Sequence, residues 1–213
     1  MSRYETEEEQ IEAFKSWWNK HGTQLLSALL VVVIAVSGWR YWTNTQYVNS
    51  ANASSLYEVL QMNMQQGSFG EVSREALKLI QEQPESPYAS AAALLYAKYS
   101  YDKGDFSDAE EHLNWVATKT TDDALKVTAH LRLARMHAEN KSFDKAEAQL
   151  MTLAAMNLIG AAKGNFDYVR GMLALQQSDN EKAYLAFTAV VANPQTEKNL
   201  LGLAQVQLDD LAK

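Results

Sequence analysis

The strongest pattern along the chain is a run with no polar face. Gly22–Trp39, GTQLLSALLVVVIAVSGW, carries no charged residue. As an α-helix rising about 1.5 Å per residue it is about 27 Å long, close to the roughly 30 Å hydrocarbon core of a bilayer. Its Leu, Val and Ile residues from Leu25 to Val36 each favour insertion by roughly 0.3–0.6 kcal/mol, together about 3–5 kcal/mol. Trp17 and Trp18 precede the run, and Trp39, Tyr41 and Trp42 close it, where interfacial aromatic belts belong. A buried core helix is usually shorter or less uniformly apolar. A cleaved signal sequence is the nearer rival, and Ala51-Asn52-Ala53 imitates a cleavage site. That triplet lies well beyond the run, however, and Glu5, Glu7, Glu8, Glu9 and Glu12 make a poor leader. The pattern predicts one transmembrane helix over residues 22–42.

Basic residues near the span set its direction. Arg3, Lys15 and Lys20 precede it; Arg40 stands at its far edge, and the next basic residue is Arg74. The N-terminal tail, 1–21, is therefore expected in the cytoplasm and residues 43–213 across the membrane. Ile11, Phe14, Trp17 and Trp18 share a face expected to form a short interfacial helix, or else to continue the span. After Trp42 no Gly or Pro occurs until Gly67, and Val48, Ala51, Leu56, Val59 and Leu60 keep helical spacing. The span is thus expected to run into the next domain with little or no flexible linker.

Beyond the span the chain repeats itself. Gly67-Ser68-Phe69 is followed at a constant spacing of 37 residues by Gly104-Asp105-Phe106, Lys141-Ser142-Phe143 and Ser178-Asp179-Asn180. In the same register, Leu60, Ala97, Ala134 and Gly171 precede the turns. After the turns come Val72, Ala109, Ala146 and Ala183, then Ala76, Leu113, Leu150 and Phe187, then Leu79, Val116, Leu153 and Val190. Each unit reads as two helices joined at the polar turn. Where helices cross at about 8–10 Å, a small residue must face a small one with large residues beside it. Ala97 with Ala109, Ala134 with Ala146 and Gly171 with Ala183 fill the small places. A lone pair cannot cover its apolar face, so successive pairs stack into a solenoid. Thr196–Ala212 is expected to cap the stack, with Leu200, Leu201, Leu203, Ala204 and Leu208 facing inward. The fold class is all-α: one transmembrane helix, then about four helical hairpins and a C-terminal capping helix.

Composition narrows the chemistry. From Thr43 onward 15 Lys/Arg stand against 21 Asp/Glu, a net −6 without long runs. Such a surface lacks the basic stripe that phosphate contacts require. There is no cysteine, hence no disulfide and no Cys-ligated metal. No phosphate-binding loop, zinc motif or serine elbow occurs. His130 and His137 stand two turns apart on one face but lack a third ligand, and read as inter-helix or surface contacts. Asp122-Asp123 sits where a helix begins and reads as capping; Asp209-Asp210 reads as capping or solvation. Tyr88, Tyr96, Tyr99 and Tyr101 read as core and groove. No catalytic residue, cofactor site, metal site or small-molecule substrate is expected, and the chain reads as a non-enzyme. What a helical solenoid offers is the groove along its first helices. In the repeat register that groove holds Tyr57 and Met64, then Leu94, Lys98 and Tyr101, then Leu131 and Arg135, then Tyr168 and Met172. Aromatic, Met and Leu side chains with isolated cations suit extended peptides or partner segments.

In the second unit Ala97, Gly104, Asp105, Phe106, Ala109 and Leu113 resemble the small, turn, aromatic, small and large positions of the tetratricopeptide repeat. The period of 37 departs from the usual one of about 34. Ala93 and His130 stand at the early Trp position, and the last unit lacks the turn aromatic. The acidic tail, the span closing on GWRYW (Gly38–Trp42) and the repeat domain carrying LRLAR (Leu131–Arg135) together resemble the YfgM family of bacterial inner-membrane proteins. That resemblance covers nearly the full chain. It implies a single-pass protein with its N-terminus in the cytoplasm and a TPR-like domain in the periplasm. As implied partners it brings the SecYEG translocon, a PpiD-like periplasmic chaperone and translocating polypeptides handed on to periplasmic chaperones. The alternative it implies is a negative regulator of an envelope-stress response, acting by binding a response regulator.

Overall fold

The computed structural model describes residues 7–212; residues 1–6, which include Arg3 and Glu5, and Lys213 lie outside the described residues. The described residues form nine α-helices and no strand. They are α1 (Glu7–Gln65), α2 (Phe69–Glu82), α3 (Pro87–Asp102), α4 (Phe106–Lys119), α5 (Asp123–Glu139), α6 (Phe143–Ala154), α7 (Gly160–Gln176), α8 (Asn180–Ala192) and α9 (Lys198–Leu211). The chain divides into two compact units within α1, one ending at Asn52 and the other beginning at Ala53.

In the first unit, residues 7–21 do not form a helix of their own. They belong to the same uninterrupted α1 as the apolar run, which corrects the short interfacial helix expected from the aromatic face. The physical reason is local: no proline occurs there, and Gly22 stays helical with the Trp18 indole against its backbone. From Leu25 to Val36 the large apolar side chains are 46–65% exposed on every side of the helix. An apolar surface on every side of a helix is the pattern that a membrane span requires. It is long and apolar enough to cross a membrane. Ser27 donates its hydroxyl to the Thr23 carbonyl at 2.8 Å, which removes the cost of an unpaired donor inside hydrocarbon. Phe14 lies against Trp17 and Trp18 at one flank, and Trp39 against Trp42 at the other, with ring centroids 5.6–6.3 Å apart.

The second unit is a stack of helical hairpins. The last turns of α1 share a core cluster with α2 and the start of α3; α3 pairs with α4, α5 with α6 and α7 with α8, and α9 closes the end. The helix positions of the repeat, those before the turns from Leu60 to Gly171 and those after them from Val72 to Val190, are all buried. The 37-residue spacing also appears in the backbone. Gly67, Gly104, Lys141 and Ser178 all take positive φ, at 71°, 85°, 57° and 62°. Each ends its helix in a Schellman motif: the residue after it donates to a carbonyl five back, as in Asp105 to Ser100 at 2.9 Å and Ser142 to His137 at 2.8 Å. The next residue in each unit, Ser68, Asp105, Ser142 or Asp179, is the N-cap of the following helix. Asp105 and Asp179 accept from the amides of Asp108 and Lys182; the two serines make no side-chain cap bond. Asp122 caps α5 as expected, accepting from the amides of Ala124 and Leu125. A two-residue device at a fixed period thus sets each hairpin bend.

The capping helix differs from expectation. Leu200, Ala204, Leu208 and Leu211 pack inward on α7 and α8, but Leu201 and Leu203 are 38% and 52% exposed, beside an exposed Val206. Residues at i, i+4, i+8 and i+11 fall on one stripe of a 3.6-residue helix; positions 203 and 206 fall on the other side.

Candidate partner-binding groove

The first helices of the hairpins lie side by side, α5 between α3 and α7, and two hollows open where they meet. The smaller, about 290 Å³, has Ala97, Tyr101, Leu113 and Met136 as its apolar wall and Lys98, Asp102 and Glu139 at its edge. The larger, about 650 Å³, is walled by Val127, Leu131, Met156, Leu158 and Ala162, with Asp123 and Glu197 at its rim. Arg132 and Arg135 line both.

Each arginine is held differently. Arg132 donates from Nη1 to the Leu94 carbonyl at 2.8 Å, fastening α5 to α3. The Arg135 guanidinium lies 5.9 Å from the Tyr168 ring centroid on α7, a cation–π contact. Both side chains reach solvent, yet the groove walls withdraw enough water that burial lowers each pKa from its ordinary value. The Arg135 charge adds to the fall at Arg132, while Tyr168 opposes the fall at Arg135. Lys98 is matched by Asp102, its Nζ 2.6 Å from the carboxylate. Among the described residues, neither arginine forms an ion pair with a carboxylate.

Of the residues expected in the groove, Lys98, Tyr101, Leu131 and Arg135 meet at these two hollows. Tyr168 joins them through Arg135, and Met172 packs beside Tyr168 in the last core cluster. Tyr57 and Met64 sit apart, in the first hairpin's cluster, where Tyr57 faces Tyr88 at 5.7 Å. Leu94 is 6% exposed and belongs to the core; what it offers the groove is its carbonyl. Arg132 was missed. The signal was present: it stands three residues before Arg135, on the same helical face, inside LRLAR.

The histidines make separate inter-helix contacts. His130 Nδ1 lies 2.7 Å from the Gln149 side-chain oxygen on α6. His137 is buried with Nε2 3.7 Å from Glu110 on α4, and Lys145 pairs with the same carboxylate at 3.1 Å. Burial lowers the His137 pKa, and Glu110 partly offsets it. Tyr96 packs edge-on to His112 at 4.6 Å, and Tyr101 edge-on to Phe106 at 5.3 Å. Among the described residues no group of three His, Cys, Asp or Glu is placed to hold a metal.

Known proteins bear this architecture out. The family described as "Tetratricopeptide repeat-like domain" matches residues 15–213. The Haemophilus influenzae protein named "Ancillary SecYEG translocon subunit" is 33% identical over 144 residues, 68% of this chain and 70% of its own. The Escherichia coli protein of that name is 29% identical over 212 residues, covering both chains in full. The one from Aggregatibacter actinomycetemcomitans is 26% identical over 96% of this chain and 97% of its own. No solved structure matches. From the apolar helix through the last hairpin, the chain belongs to the tetratricopeptide repeat-like family of the ancillary SecYEG translocon subunits.

Proposed function

We propose that this protein is a single-pass inner-membrane subunit ancillary to the SecYEG translocon, whose hairpin domain binds polypeptide on the far side of the membrane. Residues 1–21 lie in the cytoplasm, 22–42 span the bilayer and 43–213 form the periplasmic TPR-like domain. There the groove receives segments of translocating chains and passes them towards periplasmic chaperones, with a membrane-anchored, PpiD-like chaperone as neighbour. The observation that carries the reading is the paired hollow on α3, α5 and α7: apolar walls, flexible Met side chains and two open guanidiniums. That is a surface for adaptable binding of extended chain.

A photo-crosslinking side chain placed at Tyr101 or Arg135 in cells tests it. Adducts with translocon subunits, a periplasmic chaperone or secreted precursors are expected. Adducts formed only from positions on the outer helices, such as Met151 on α6, overturn the groove assignment. A protease-accessible N-terminal tag on the periplasmic side overturns the orientation.

A further inference from the structure

Arg132 and Arg135 present an unusual charge arrangement, and it deepens the groove reading, on which it rests. The domain is net negative from Thr43 onward, yet its groove centre holds two guanidiniums one helical turn apart on α5. Like charges at this spacing repel by a few tenths of a kcal/mol on a helix. Proteins commonly relieve such a pair with a carboxylate. Here Asp102 is taken by Lys98, and Glu139, Asp123 and Glu197 line the hollows without pairing to either arginine. Arg132 uses one of its five donors on the Leu94 carbonyl, and Arg135 is steered by the Tyr168 ring. The remaining donors point to an anion supplied from outside.

Position tells which anion. Both arginines line the apolar hollow on the α3 side and the apolar hollow on the α7 side, so the charge stands at the junction of two greasy walls. A chain lying across α5 fills both hollows with apolar side chains only if the group over the arginines is interior to it. We infer that the Arg132–Arg135 pair is a subsite for the carboxylate of an Asp or Glu within an extended polypeptide, flanked on both sides by apolar residues. A chain terminus would leave one hollow empty. A nucleic acid would need a basic stripe that this surface lacks.

The test uses the full chain in detergent micelles and short fluorescent peptides, blocked at both ends. One peptide carries a single glutamate between aliphatic residues, and its twin carries glutamine. Fluorescence anisotropy is expected to give the glutamate peptide about tenfold tighter binding, the scale of one charge-assisted pair, and a narrower gap at high salt. Arg135→Gln is expected to abolish the preference, so that the variant binds the glutamate and glutamine peptides alike; Arg135→Lys is expected to retain part of it. Equal binding of the twins, or a preference that survives in Arg132→Gln/Arg135→Gln, overturns this inference and leaves the groove reading standing. Failure of both peptides to bind overturns both readings. Tighter binding of a third peptide, with no acidic residue but a free C-terminal carboxylate, overturns the interior placement.

Discussion

Glycine 171 offers the sharpest test of how the hairpins pack. In the interior of an α-helix, Gly→Ala ordinarily stabilises by about 0.4–1 kcal/mol, because alanine loses less backbone freedom on folding. Gly171 sits where α7 crosses α8, and a methyl there would meet three atoms of the Phe187 ring at 2.7, 2.8 and 3.0 Å. Carbon atoms rest at about 3.5–4.0 Å, so the ring or the helix must yield by about 0.5–1 Å. Phe187 is 0% exposed and packed edge-on to Tyr168 at 5.7 Å, which leaves it nowhere to go. Overpacking of this kind costs about 1–3 kcal/mol, so the steric term exceeds the propensity gain and Gly171→Ala should destabilise by about 1–2 kcal/mol. For a domain of this size that lowers Tm by about 2–8 °C. The measurement is thermal unfolding of the full chain in detergent, followed by circular dichroism. Gly202→Ala on α9, where an added methyl meets nothing within 4 Å, serves as the opposite control and should raise Tm. Combining Gly171→Ala with Phe187→Leu should recover about 1 kcal/mol or more relative to the sum of the single changes, since the clash disappears with the ring. A rise in Tm for Gly171→Ala comparable to that of Gly202→Ala would refute the close crossing.

Three further outcomes follow from the repeat and its contacts. Lys141→Gly should stabilise by about 1 kcal/mol by relieving a left-handed backbone at φ 57°, whereas Gly104→Ala, at φ 85° with open space around it, should destabilise by a similar amount; chemical denaturation reads both. Asp105→Ala removes a cap bond to the Asp108 amide and should cost about 1 kcal/mol, while Ser142→Ala, at the same repeat position without a cap bond, should cost less than half as much. His137 resists protonation in the native state, so the unfolded chain binds the extra proton as pH falls through about 6.5. Its contribution to stability is therefore full above that pH and declines below it. Stability measured from pH 7.5 down to 5.5 should fall less steeply in His137→Gln than in the parent; identical slopes would refute the assignment.

Much of this protein is written in one dimension because helices are local objects. A charge-free run of bilayer length needs no neighbour to declare itself, and the 37-residue register predicted which residues are buried because each hairpin solves the same packing problem with the same small and large side chains. Gly67, Gly104, Lys141 and Ser178 mark the bends whatever their side chains, since the backbone there must turn left-handed. The groove was legible only in part. Tyr101, Leu131 and Arg135 follow from the register, but Leu94 sinks into the core and Arg132 crosses to α3, outcomes that depend on how near the next helix lies. For the same reason an apolar count placed Leu201 and Leu203 inward on α9, while the stack offered partners only to the stripe of Leu200, Ala204 and Leu208. Periodicity specifies a face; only the neighbours that fold against it decide how wide that face is and which charges are left standing beside it.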